Sequence, residues 1–355
     1  MRIAVLADAS LTHVTRWCNY FIGRGHDVLL ITFEEPADYK INTVKLTPYF
    51  PTKLGGYLSR FLSVKAVLKS FKPHLLNSLY ISGYGFLGAL TKVKPFVVSS
   101  LGSDLLVDYQ SSFIHKAQIL YALKKADLVT VDAENLKQRV LTLGISESRI
   151  LKFYFGIDGK IFNPPDNGKK EKPIIISTRK LYPIYNVNVL LEAAEEIIKE
   201  FPSATFVICG SGPEEKSLKR KAQDLGMAGK FIFKGTLSQH DLADELKKAT
   251  IYVSTSLSDS TSVSLLEAMA CGTFPVVSDI EANREWINDS KNGLLFKPGD
   301  SKDLSRVIIK ALKDSELRSK AIEINYNLIQ EKGLWETNMA MVEEKFNRLI
   351  ENRDK

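Results

Sequence analysis

Short continuous runs of Val, Ile and Leu alternate with helix-spaced patterns along almost the whole chain, and this alternation restricts the fold more than any other feature of the sequence. The first half carries such runs at 3–7, 28–33, 74–79, 96–100, 128–132 and 150–155. Apolar runs without polar alternation fit strands covered on both faces, as in a parallel sheet. Helical patterns lie between them, at 12–23 and 112–125 among others. At 162–173 the pattern stops in a stretch rich in Pro, Gly and charge, which reads as an interdomain linker. It restarts with runs at 174–177, 205–209, 231–233, 251–254, 274–278 and 294–296. Two such series predict two doubly wound α/β domains, spanning 1–165 and 173–334. After Asp300 the chain reads as helix, ending in an amphipathic tail at 335–353. Ligands of such sheets bind beyond the carboxyl ends of the strands, so a cleft between the domains is the expected site.

A length of 355 residues suits two cores of ordinary size, and 45% hydrophobic with 25% charged residues is the composition of a globular protein. The net charge of +7 admits an anionic partner: a nucleotide diphosphate, an acidic membrane surface or nucleic acid. A diffuse solvated excess is the other reading. Cys18, Cys209 and Cys271 form no CxxC pair and sit in apolar patterns, which predicts buried, reduced thiols rather than disulfides or metal ligands. The N-terminal apolar run is too short for a signal peptide, and no apolar stretch approaches bilayer length. A cytoplasmic location is the expectation.

The strand ends carry the chemistry. Asp259 to Pro275 reads D-S-T-S-V-S-L-L-E-A-M-A-C-G-T-F-P, with Asp259 and Glu267 flanking a hydroxyl-rich loop that opens a helical pattern. Backbone amides at such a helix start suit a phosphate, and a carboxylate a turn later suits sugar hydroxyls. Gly210-Ser211-Gly212-Pro213 follows another strand; its glycines admit either close approach to a ligand or a plain tight turn. Thr178-Arg179-Lys180 offers two cations to a diphosphate, or a solvated basic turn. In the first half, Gly102-Ser103-Asp104 is either a cleft cluster or a loop in which Asp104 caps a helix. Ser10 and His13 follow the first strand, and His13 reads equally as a cleft or a surface residue. The segment 54–71, with Arg60, Lys65 and Lys69 among Tyr57, Phe61 and Phe71, is either a membrane-surface helix or a core helix with a solvated basic face. No G-x-G-x-x-G, D-x-D, P-loop, H-E-x-x-H or G-x-S-x-G occurs.

Taken in order, these pieces resemble the group 1 (family 4) retaining glycosyltransferases of GT-B fold. The resemblance rests on Arg24-Gly25-His26-Asp27-Val28, Leu101–Leu105, Ala126–Val131, Gly156-Ile157-Asp158 and Phe162-Asn163-Pro164. It continues with Arg179, Gly210–Pro213, the D-x7-E segment through Gly272, and Asn292–Leu295. It implies two Rossmann-like domains across a cleft, with a C-terminal helix at about 335–355 packing back on the first. It implies a nucleoside diphosphate-sugar donor, UDP-sugar favoured and GDP-mannose next, and no metal or other cofactor. Glu267 would hold the ribose and the amides at Ser262 and Val263 the distal phosphate. Arg179, with Lys180 nearby, would stabilise the diphosphate, Gly210–Gly212 would lie near the nucleotide, and Asp259 would meet the sugar. Ser10, His13, Gly102, Ser103 and Asp104 would line the acceptor side. The acceptor would be a glycan, lipid-linked glycan or glycolipid, with peripheral membrane contact through the 54–71 helix; nucleic acid is not an expected partner. Alternatives are a non-catalytic nucleotide-sugar-binding scaffold and a GT-B phosphorylase or epimerase. The chain departs from the pattern in four places. Asp259 stands for a glutamate, and Ile184-Tyr185-Asn186 replace a lysine. Ala9-Ser10 replace a glycine pair, and Leu101 replaces a histidine.

Overall fold

The computed structural model describes residues 1–47, 53–165 and 172–353, the side chains of 53–58 excepted. The middle of the expected linker (166–171) and the first side chains of the basic helix lie outside the described residues. The chain divides into two compact units, Met1–Phe153 with Met339–Lys355, and Tyr154–Asn338. Each is a parallel sheet with helices on both faces, the α/β class that continuous apolar runs demand.

In the first unit, strands β1 (Arg2–Leu6), β2 (Asp27–Thr32), β3 (Thr43–Lys45), β4 (Leu75–Leu79), β5 (Phe96–Ser99), β6 (Leu128–Val131) and β7 (Ile150–Lys152) form a seven-stranded sheet in the order β3-β2-β1-β4-β5-β6-β7. Ile3 lies opposite Val28 on one side and Leu75 on the other. Only β3 has no counterpart in the sequence reading. It is a three-residue edge strand, half-exposed and without an apolar run to mark it. The Thr12–Gly23 helix buries Val14, Trp17, Cys18 and Phe21, and Gly25 takes φ = 80° where the chain turns toward β2. The tail helix Trp335–Glu351 contributes its residues from Met339 onward to this unit. Phe346 stacks on Phe21 with centroids 5.5 Å apart, and the buried Glu343 accepts from Tyr20 Oη at 3.0 Å and Arg24 Nε at 3.1 Å. His26 Nε2 stands 2.7 Å from its other oxygen. The Arg24-Gly25-His26 stretch thus anchors the tail.

In the second unit, β8 (Ile174–Ser177), β9 (Thr205–Cys209), β10 (Phe231–Gly235), β11 (Ile251–Ser254), β12 (Phe274–Ser278) and β13 (Leu294–Phe296) form a sheet in the order β10-β9-β8-β11-β12-β13. This unit takes in Tyr154–Pro165, ahead of the expected linker. The reason is packing: Ile157 and Phe162 are buried with Tyr252, Leu265 and Leu266. Ile157 also exchanges backbone hydrogen bonds with Gly333 and Trp335, at 2.8 and 2.9 Å. All three cysteines are buried. Burial pushes the Cys18 and Cys209 thiols up to about 12, so neither is a nucleophile at neutral pH.

In both sheets the strand order reverses beside the first strand, between β1 and β4 and between β8 and β11. Loops leave in opposite directions at such a reversal, which opens a crevice beyond the strand ends. Whatever follows these four strands is therefore placed to meet a ligand.

Candidate active site

The residues after β8 and β11 converge at the second reversal. Arg179 stands two positions beyond β8 and is only 7% exposed. Its Nη1 donates to Ser262 Oγ at 2.6 Å and Ser264 Oγ at 2.9 Å, and its Nη2 to Asp259 Oδ2 at 2.6 Å. The guanidinium lies 4.1 Å from the centre of the Tyr185 ring. Its buried Nε has no hydrogen-bond partner among the described residues. Tyr252, fully buried on β11, brings its hydroxyl to 2.9 Å from Ser264 Oγ.

The electrostatics follow from burial and pairing. Burial opposes the Arg179 charge, but the Asp259 carboxylate and the Tyr252 and Tyr185 phenols overcome it, and the guanidinium is held above its ordinary value. Burial raises the Asp259 carboxyl, and the Arg179 charge opposes that rise. A guanidinium does not release its proton inside a protein, so the positive charge stays on Arg179.

Ser262 is the N-cap residue of the Val263–Ala270 helix, yet its side chain makes no capping bond; its hydroxyl accepts from Arg179 instead. The first amides of that helix therefore lack a side-chain cap, and helix start and guanidinium converge on the Ser262 and Ser264 hydroxyls. Uncapped amides, two hydroxyls and a desolvated cation form an anion-binding arrangement. Glu267, one turn into the helix, is 9% exposed.

The glycines of Gly210-Ser211-Gly212 are required by packing against the neighbouring loop. A Cβ on Gly210 would collide with the Arg179 carbonyl oxygen, and one on Gly212 with the Leu181 carbonyl. Leu181 N donates to Ser211 O at 3.0 Å, and Glu214 N to Leu181 O at 3.1 Å. The glycines let the loop after β9 lie backbone to backbone against the loop carrying Arg179. Ser211 itself is exposed, its Oγ 2.9 Å from Thr236 Oγ1. Lys180 is exposed, in contrast to the buried Arg179 beside it. Val263 is half-buried at the helix start.

In the first unit, Ser10 follows β1 and closes a small turn on Asp8, with its Oγ donating to Oδ1 at 2.6 Å. His13 is half-buried on the following helix. Gly102 takes φ = 96° and donates its amide to Ser100 Oγ at 3.2 Å. Asp104 lines no open surface. It is fully buried, and its carboxylate accepts from Ser100 Oγ at 2.6 Å, Ile81 N at 2.9 Å and Leu105 N at 3.0 Å. That makes it the fastening of the loops after β4 and β5. Exposed Ser103 donates to Tyr80 Oη at 3.3 Å, and Asp108 accepts from Tyr80 Oη at 2.9 Å and Ser82 Oγ at 2.8 Å. Tyr80 holds φ = 81° directly after β4, an uncommon conformation for an aromatic residue.

Sequence reasoning passed over Tyr80, Ser82, Asp108, Tyr185, Tyr252 and Ser264. Ser264 lay inside the hydroxyl-rich loop and was within reach of it. Tyr252 is hidden in an apolar strand, and only the fold brings the others to a strand reversal. Among the described residues, no group of three or more His, Cys, Asp or Glu side chains gathers as a metal-binding set.

Comparison with known proteins agrees with this architecture. The profile of the family described as glycosyl transferases group 1 matches residues 160–328, and that of glycosyl transferase 4-like proteins matches residues 2–133. The chain is 27% identical over 328 residues to a sulfoquinovosyl transferase of Arabidopsis thaliana, covering 84% of this chain but only 62% of that protein's length. It is 28% identical over 330 residues to the N,N'-diacetylbacillosaminyl-diphospho-undecaprenol alpha-1,3-N-acetylgalactosaminyltransferase of Campylobacter jejuni, covering 83% of each. Among solved structures, HepE of Anabaena in complex with UDP superposes with a TM-score of 0.84 at 17% identity, covering 98% of this chain and all of that one. Sucrose-phosphate synthase of Thermosynechococcus elongatus gives 0.84 at 18%, covering 99% of this chain and all of that one. With one profile on each half and the fold of the GT-B enzymes throughout, the chain belongs to the group 1, family 4-like glycosyltransferases.

Proposed function

We propose that the protein transfers a sugar from a nucleoside diphosphate-sugar to a hydroxyl of a glycan, lipid-linked glycan or glycolipid, with retention at the anomeric carbon and without a metal ion. A UDP-sugar is the favoured donor and GDP-mannose the next; the neighbouring HepE structure holds UDP. The observation that carries the reading is the buried Arg179, clasped by Ser262 and Ser264 at an uncapped helix start beside a strand reversal. The bond from sugar to diphosphate breaks with negative charge growing on the leaving phosphate. Preorganised donors in a dry site stabilise that charge most. Arg179 and the amides at Val263 and Ser264 are such donors, and Glu267 takes the ribose hydroxyls.

Asp259 acts on Arg179 in this reading. With its Oδ2 on the guanidinium and its Oδ1 on the Ser260 amide, it is a counter-ion that aims the arginine rather than a nucleophile. Departure of the diphosphate and attack by the acceptor on one face then account for retention without a covalent intermediate. On the first unit, the acceptor hydroxyl falls to Ser103 with Tyr80 and Asp108, and to Ser10 and His13 after β1.

The test is acceptor-dependent release of nucleotide from UDP- and GDP-sugars, with the anomeric configuration of the product read by NMR. Glu267→Ala is expected to lower turnover by about two orders of magnitude or more. Wild-type turnover in that variant, or an inverted product, would overturn the assignment.

A further inference from the structure

The positive charge of this protein is not spread over its surface. Residues 39–126 contain twelve Lys and Arg but only two acids, Asp104 and Asp108, a net +10. The whole chain is +7, so the remaining residues, with 36 cations and 39 acids, are net negative. Neither acid offsets the basic surface. Asp104 is fully buried, and half-buried Asp108 is bound by the Tyr80 and Ser82 hydroxyls.

The fold gathers six of these twelve cations on one side of the first unit; of the others, Lys45 is paired with Glu35 and Lys94 with Asp127. The helices Lys53–Phe71 and Phe113–Lys125 both pack against Phe86–Thr91. All three bury apolar residues in one core beneath the sheet, among them Val64, Leu68, Leu87, Ile119 and Leu123. Their outward faces therefore look the same way. Lys65, Lys69, Lys92, Lys116, Lys124 and Lys125 are exposed there, and none has a carboxylate within ion-pair distance among the described residues. Lys116 and Lys125 instead lie over the rings of Tyr109 and Tyr121, at 5.3 and 5.7 Å.

Large apolar side chains stand among these cations. Phe113 is 84% exposed and Ile114 68%, side by side at the start of their helix, and Leu62 is 56% exposed on the other. No helix among the described residues is long and apolar enough to cross a membrane.

We propose that this face docks on an anionic lipid surface, with Phe113 and Ile114 entering the headgroup boundary and the lysines resting on the lipid phosphates. A lipid interface takes both kinds of group at once, since anionic headgroups attract lysines and the acyl boundary accepts apolar side chains. Phosphate along a nucleic acid would meet the cations but leave Ile114 and Leu62 in water. A second copy of the face would repel it. The inference widens the contact expected of the 54–71 helix alone and shifts its apolar edge to the second helix. It rests on the proposed function only for its purpose, delivery to a lipid-borne acceptor.

The test is co-sedimentation of the full chain with phosphatidylcholine vesicles, plain or carrying roughly 30% phosphatidylglycerol. Wild type is expected to bind the anionic vesicles at least about tenfold more tightly and to be released as salt screens the charges. Phe113→Ser with Ile114→Ser is expected to weaken binding by about tenfold or more, with thermal unfolding and nucleotide binding unchanged. Lys116→Glu with Lys124→Glu should weaken it and flatten the salt dependence. Equal binding to plain vesicles, wild-type binding by the Phe113/Ile114 variant, or a DNA duplex displacing the vesicles would overturn the proposal. Vesicle binding is read without turnover, so a protein that binds vesicles but no nucleotide-sugar supports this inference while refuting the proposed donor.

Discussion

Arg179 and Asp259 show what one buried pair decides. Two opposite charges at 2.6 Å, both largely removed from water, hold each other in place, and removing one leaves the other stranded. Asp259→Asn keeps the shape and removes the charge. It is expected to destabilise the ligand-free protein by about 3 kcal/mol, seen as a lower unfolding temperature. Added UDP should then raise that temperature further than in wild type, because the diphosphate supplies the missing negative charge. Unchanged stability would mean that the pair is not coupled. Tyr185 acts on the same guanidinium through its ring face. Tyr185→Phe keeps that face and is expected to retain donor binding, whereas Tyr185→Ala should weaken donor affinity by roughly tenfold, a change of about 1.4 kcal/mol. Calorimetric titration with UDP separates the two outcomes. Arg179 was legible in the sequence as a cation at a strand end. Its aromatic and carboxylate partners were not, because they are 6 and 80 positions away and only folding brings them near.

At the scale of elements, the two loops after β8 and β9 form one support. Gly210 adopts φ = 154° and lies against the Arg179 carbonyl with no room for a Cβ. Gly210→Ala must therefore displace the backbone that aims the guanidinium. It is expected to cost about 1–3 kcal/mol of stability and to lower turnover together with it. Gly229, with nothing within 4 Å of a Cβ position, is the control, and its alanine variant should behave as wild type. A Gly210→Ala protein with normal turnover would break the link between the loops. The glycine pair itself was readable as a strand-to-helix signal. Its partner was not, since close approach of two backbones leaves no mark in a sequence beyond the missing side chains.

At the scale of the whole chain, the tail returns to the first unit through Glu343. Burial alone would raise this carboxyl, but hydrogen bonds from His26 and Tyr20 and the nearby Arg24 charge outweigh it, and its value is lowered. A lowered folded-state value means that the stabilisation is present above the ordinary glutamate value of about 4.3 and is lost as pH falls through the folded one. Glu343→Gln should then cost about 1–2 kcal/mol near neutral pH, and that difference should vanish under acid conditions. Chemical denaturation at several pH values measures it; a cost independent of pH would show that the charge has no part in the anchor. The basic face follows the same rule of scale: its composition is visible in the sequence, but its being a single face depends on where the sheet places its helices.

By itself the sequence determined the two α/β units, nearly every strand and the helix start at Ser262, because these depend on local patterns of apolar, small and polar residues. Only the tertiary structure decided that Asp259 faces Arg179, that Asp104 is a buried fastening, that Lys180 is exposed, and that Tyr80 and Asp108 meet after β4. The reason is physical. Strand and helix formation respond to neighbours within a few residues, whereas the direction of a loop side chain is set by whichever distant charge or hydroxyl the packed sheet brings within 3 Å.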